Sequence, residues 1–229
     1  PKTTQKARLT GLFLFQLARM RAMRRRVFLL SVSAAALAGC TNDAPKIPDA
    51  TPDRVANAVY RHDGPPEVVL YTMISNDSGS GAHTSMMINA SQRVIWDPAG
   101  SFRNEKIVER GDVVFGVTPP MEDVYRRFHA RKTFHVVVQR MALTPEVAEG
   151  LLQRALVAGN QQPANCAAST ARLMNATPGL PKVPQTYFPK TLAEAFGALP
   201  GVTTRRFYET DDPDRFKALA ALIPALEAF

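Results

Sequence analysis

Four short runs of β-branched and aromatic residues constrain the fold of this chain more than anything else in it. They are EVVLYTMI (67–74), HTSMMI (83–88), QRVIW (92–96) and FHVVVQ (134–139). Each has strand length, and turn-rich pieces such as SNDSGSG separate them. A further short strand, VVFGV, is expected after Gly111-Asp112. Helical signals gather later in the chain. Pro119–Lys132 reads as a helix. Thr144-Pro145 has the look of an N-cap followed by the first helical residue, with Val147, Leu151, Ala155 and Leu156 along one face behind it. Asn165 is a suitable N-cap for a helix running CAASTARLMN. A short helix, LAEAFGAL, a strand, TTRRFY, and a helix from Pro213 that Pro224 should kink or end complete the chain. Strands ahead of helices predict an α+β domain, with an antiparallel sheet against which the Cys166-bearing helix packs.

The second and third runs predict a hairpin about Asn89-Ala90-Ser91: with an odd-numbered turn paired positions sum to 180 and His83 faces Asp97, whereas an even-numbered turn sets His83 against Pro98. One face then carries His83, Ser85, Met87, Arg93, Ile95 and Asp97. The other carries Thr84, Met86, Ile88, Val94 and Trp96, and reads as the core face.

The N-terminal region reads differently. Arg24-Arg25-Arg26 precedes an apolar stretch from Val27 to Leu37 that is too short for a permanent membrane helix, which is the layout of an export signal. Leu37-Ala38-Gly39-Cys40 resembles the bacterial lipobox, which implies acylation of Cys40 and a membrane anchor. Thr41 behind it points to the periplasmic side of the outer membrane. The expected organisation is an upstream or misassigned start (1–22), a signal (23–39), a lipidated polar tether (40–60) and one domain (61–229). All eight basic residues of 1–39 belong to the leader, so 20 Lys/Arg and 20 Asp/Glu remain beyond it. The basic balance of the chain is therefore no argument for nucleic acid.

With Cys40 assigned to lipid, Cys166 is an unpaired thiol in an oxidising compartment. At the first turn of a helix it would meet free N–H groups and the positive end of the dipole, both of which favour thiolate. A buried, inert cysteine is the other reading. A thiolate nucleophile needs a base. His62 reads as a solvated turn residue near the tether, His129 as a residue on a charged helix facing water, and His135 as a hydrogen-bonded residue at a sheet end. His83, starting a strand after a glycine-rich loop, is the candidate base, and Asp97 the candidate orienter or else a turn residue before Pro98-Ala99-Gly100. No metal-ligand spacing and no dinucleotide fingerprint is present, so no metal or cofactor is expected.

The segments GSGAHTSMMI, RVIWDPAGSF, LTPEVAEGLLQRAL and NCAASTARLM, in that order, resemble the circularly permuted NlpC-type papain-like cysteine hydrolases, whose branch includes lecithin–retinol acyltransferase relatives. The resemblance covers roughly residues 67–175. It implies a permuted papain-like fold, Cys166 as nucleophile, His83 as general base and acid, Asp97 as a third member, and a thioacyl intermediate. Where permuted members often carry Tyr two residues before the cysteine, this chain has Ala164. Three functions follow as expectations. The first is an envelope hydrolase of amide bonds, such as those of peptidoglycan peptides. The second is an acyl ester or thioester hydrolase or acyltransferase, and the third a non-catalytic envelope lipoprotein that serves as a binding module.

Overall fold

A computed structural model describes residues 47–226 of the chain. Cys40, the export signal and the first part of the expected tether lie outside these residues.

Seven strands form one open sheet: β1 (Glu67–Ser75), β2 (Gly81–Asn89), β3 (Arg93–Trp96), β4 (Glu109–Arg110), β5 (Val113–Val114), β6 (Phe134–Ala142) and β7 (Thr203–Phe207). Their spatial order is β4-β5-β3-β2-β1-β6-β7, and every neighbouring pair is antiparallel. Six helices are described: α1 (Pro52–Asn57), α2 (Pro119–His129), α3 (Pro145–Val157), α4 (Cys166–Ala176), α5 (Pro189–Gly197) and α6 (Arg215–Leu226). The α+β class and the antiparallel sheet follow the sequence reading. No described helix is long and apolar enough to cross a membrane.

Both faces of the sheet are covered. On one, Val68, Leu70, Met86, Ile88, Val94 and Trp96 pack against α3, α4 and α5 through Leu151, Ala155, Ala167, Ala171, Leu192 and Phe196. On the other, Val69, Tyr71, Met73, Met87 and Ile95 meet α2 and α6 through Val124, Tyr125, Phe128, Leu219 and Ile223. The expectation of a single core face is therefore corrected. β1 is buried over all but its two end residues, which is why Val68 to Tyr71 run on as consecutive apolar side chains rather than alternating with polar ones. Each fully buried large apolar side chain in these layers contributes roughly 1.5–3 kcal/mol.

The helix starts obey local chemistry. Thr118 and Thr144 accept from the amides of Met121 and Val147 at 3.3 and 3.4 Å, each with proline next in line. Asp214 takes the amides of Phe216 and Lys217 at the start of α6, and α6 continues two residues beyond Pro224. The β5 strand is shorter than VVFGV suggested because Gly116, at φ 71°, turns the chain away.

Residues expected in the tether are partly docked. The Ala50 amide donates to the Glu109 carbonyl at 2.8 Å, Arg110 reaches back to the Ala50 carbonyl at 2.9 Å, and the Arg93 amide bonds the Tyr60 carbonyl at 2.8 Å. The segment from Asp49 to Tyr60 thus covers the β4–β5–β3 side of the sheet, where unpaired backbone groups would otherwise face water.

Candidate active site

The hairpin of β2 and β3 sets the geometry. Its pairs are Met86↔Trp96, Met87↔Ile95, Ile88↔Val94 and Asn89↔Arg93, so paired positions sum to 182. The turn is Ala90-Ser91-Gln92, one residue later than expected. His83 is therefore not directly across from Asp97. A slip of two in the sum preserves which face each residue occupies, and a diagonal neighbour lies within reach of a long side chain. His83 Nε2 and Asp97 Oδ1 accordingly meet at 2.6 Å.

β3 ends at Trp96, so no strand pairs with residues 81–85 of β2 on that side. The N-terminus of α4 enters this gap. The Cys166 sulfur lies beside the His83 ring and the amides of Thr84 and Ala167, each of which favours its thiolate. With Nε2 committed to Asp97, the ring presents Nδ1 to the sulfur. Asn165 occupies the N-cap position as expected but makes no side-chain cap bond, which leaves first-turn amides to the sulfur and to whatever approaches it. Ala164, at φ 62°, holds a left-handed conformation that costs a non-glycine residue about 1–3 kcal/mol. This bend aims the helix start at β2.

Charge follows from these contacts. Burial alone would hold His83 neutral, but the Asp97 charge and hydrogen bond, with help from Cys166, raise its pKa to about 10. Burial alone would raise Asp97, and the facing imidazole together with His129 and Tyr125 brings it down to about 2. Burial likewise raises the Cys166 thiol, and the His83 hydrogen bond and charge outweigh that and lower it below 9.0. Between the titrations of Cys166 and His83 the arrangement is thiolate, imidazolium and carboxylate in a row. Cys166 is 7% exposed and His83 18%, so the sulfur opens to solvent at the rim of the site only.

α2 supplies partners that sequence reasoning did not assign. The Tyr125 hydroxyl lies 2.9 Å from Asp97 Oδ1, the oxygen that also meets His83, and 2.6 Å from Ser85 Oγ. His129, expected on a water-facing surface, is 7% exposed and stacks on His83 with ring centroids 6.0 Å apart. Burial lowers its pKa to about 3, so it is neutral. The signal was present: Met121, Val124, Tyr125 and Phe128 make an apolar helical stripe, and His129 falls four residues after Tyr125 on its flank. Outside the site, His135 Nδ1 meets Asn76 Oδ1 at 2.7 Å at a sheet end, as expected, and half-buried His62 lies 3.4 Å from the Tyr60 hydroxyl.

Asp112 ties the loops on either side of the site together. Its Oδ2 accepts the Ala99 amide at 2.8 Å and the Gln161 amide at 2.7 Å, and its carbonyl accepts the Asp97 amide at 2.8 Å. One buried side chain thus joins the turn after Asp97 to the loop that leads into Cys166. Comparison with protein-family models, curated proteins and solved structures yields no match to this chain.

Proposed function

We propose that the chain is a cysteine hydrolase of permuted papain-like type, anchored at a bacterial envelope membrane through Cys40. The observation that carries the catalytic reading is the unbroken line from Asp97 through His83 to Cys166, with the sulfur at a free helix start. In this reading the Cys166 thiolate attacks a carbonyl carbon, and the oxygen that becomes negative takes the Cys166 amide, an unpaired first-turn donor. His83 then gives its Nδ1 proton to the departing nitrogen or oxygen, and the acyl group stays on sulfur. Water attacks next, delivers a proton back to His83, and releases the acid. Asp97, held by Tyr125, keeps the ring oriented and balances its charge. The membrane anchor rests on the Leu37–Cys40 motif, and places peptide amides of the cell wall within reach of the site.

A second substrate class, acyl esters or thioesters, is favoured by the segment Gln185–Lys190. The Gln185 side chain bonds the Ala168 carbonyl at 2.7 Å, beside Cys166, and a Cβ on Gly81, near His83, would meet Pro189 Cβ at 2.9 Å. Between these two anchors the segment presents Tyr187 and Phe188, 67% and 71% exposed, an apolar surface suited to an acyl chain.

Incubation with matched amide and ester acyl donors, followed by denaturation and mass measurement, tests both readings. The expected result is an acyl adduct on Cys166 that is lost in Cys166→Ala and in His83→Ala, while both variants melt as folded domains. No adduct from any donor, or a Cys166→Ala variant that no longer folds, leaves Cys166 a core residue and the protein a binding module.

A further inference from the structure

His83, Asp97 and His129 each offer a ligand atom, and these atoms lie within 4.8 Å of one another. Two facts separate this group from an ordinary hydrogen-bonded cluster. His129 gives its Nδ1–H to the Tyr125 carbonyl at 2.9 Å, because a carbonyl can only accept. Its Nε2 is then a bare lone pair, buried and without a hydrogen-bond partner. A neutral imidazole nitrogen left unsatisfied in the interior is costly unless something binds it. The remaining partners already have the form of a metal site's outer shell. The Tyr125 carbonyl fixes the His129 tautomer, the Tyr125 hydroxyl holds the Asp97 carboxylate, and the Cys166 thiol occupies the far nitrogen of His83.

We infer that His83, Asp97 and His129 form a site for a borderline divalent cation, Zn2+ in the first instance, that switches the Cys166 centre off reversibly. Two imidazoles and one carboxylate suit zinc rather than magnesium or calcium, and water completes a tetrahedron. Ligand atoms around tetrahedral zinc sit about 3.3 Å apart. The 2.6 Å contact between His83 and Asp97 therefore opens by under about 1 Å to admit the ion. The ion replaces the proton on His83 Nε2, which leaves to solvent. His83 then holds Asp97 through the metal, and its Nδ1–H, on a metal-bound neutral ring, no longer serves as a proton donor to a leaving group. The silencing half of the inference rests on the hydrolase reading. The binding half stands without it.

The full chain and its Cys166→Ala variant are titrated with Zn2+ by calorimetry after chelator treatment, and the Cys166→Ala protein is loaded with Co2+. The expected result is one ion bound by both proteins, with affinity lost more than about 100-fold in His129→Gln, beyond what an outer-shell partner accounts for. The Co2+ protein should show two exchangeable imidazole N–H resonances shifted by the metal, a readout that needs no His129 variant to fold. Wild-type Cys166 should also cease to form the acyl adduct as zinc is added, and regain it with chelator. Loss of binding in Cys166→Ala would move the ion to the Cys166–His83 pair and overturn the site. Undiminished binding in a folded His129→Gln variant, a single shifted histidine, or no binding at all would do the same. If binding holds but zinc leaves the acyl adduct unchanged or increases it, the switch is wrong.

Discussion

At the scale of single residues, the charge state of the candidate site depends on one contact, the Asp97 carboxylate on His83 Nε2. Because the His83 pKa is raised to about 10 and the Cys166 pKa is lowered below 9.0, the two titrations leave a window between them in which thiolate and imidazolium coexist. Below that window the thiol is protonated and slow. Above about pH 10 the ring loses the proton it would hand to a leaving group. The iodoacetamide rate at Cys166, measured in chelator, should therefore rise through a midpoint below pH 9.0. In His83→Ala that midpoint should move up, since burial, the opposing influence, is then left with only the Thr84 and Ala167 amides to offset it. An unchanged midpoint in the variant would mean that the two side chains are uncoupled. The same pair affects stability with a fixed sign. His83 gains its folded-state advantage below its ordinary 6.5, and this is lost as pH rises from there through about 10.

At the scale of elements, the site depends on loops that hold its parts at close approach. A Cβ on Gly100 would lie 1.9 Å from Asp97 Oδ2 and 2.2 Å from its Cγ. The carboxylate cannot swing aside without leaving both His83 and Tyr125. Gly100→Ala should thus displace Asp97 and weaken its hold on the imidazolium. If the thiolate advantage falls by one pKa unit, alkylation of Cys166 near neutral pH slows about tenfold. Far-UV circular dichroism should be unaltered, because Gly100 lies outside every strand and helix. A wild-type alkylation rate in that variant would show that Asp97 does not govern the ring. The elements themselves were legible in the chain: EVVLYTMI, FHVVVQ, the Pro119–Lys132 stretch and the Thr144-Pro145 start became β1, β6, α2 and α3 almost where expected. Local propensity and short-range capping decide such features. The hairpin register was missed by one pair because a three-residue turn fits equally well at 89–91 and 90–92, and both choices keep the same faces. The Cys166–His83–Asp97 association was legible through alternation and helix-start chemistry. The environment of His129 and the clamp of Asp112 were not, since both depend on contacts between segments far apart in sequence.

At the scale of the molecule, the second face of the sheet buries charge as well as hydrocarbon, and this fixes α2 in place. Glu122 of α2 pairs with Arg93 of β3 and, at 2.6 Å, with Arg140 of β6, which also reaches Glu67 of β1 at 2.6 Å. The Tyr71 hydroxyl donates to Glu122 at 2.9 Å. One carboxylate thereby joins three strands to the helix that carries Tyr125 and His129. Burial raises the Glu122 carboxyl, but Arg93 and Arg140 outweigh burial and hold it below 4.5. Arg93 is 3% exposed, and Met87 sulfur is its other contact, so removing the Glu122 charge strands a buried guanidinium. Glu122→Gln should cost about 3–5 kcal/mol in urea unfolding at pH 7, the range for breaking a buried pair from one side. The sign with pH follows from the lowered pKa. The carboxylate's contribution is complete above 4.5 and declines as pH falls through the folded value. The gap between wild type and Glu122→Gln should therefore narrow on acidification, as wild type takes up the proton that makes its side chain a near neighbour of glutamine. A gap of equal size at pH 7 and well below pH 4.5 would mean that Glu122 acts through shape and hydrogen bonding alone. The arginines would then need some other compensation for their burial.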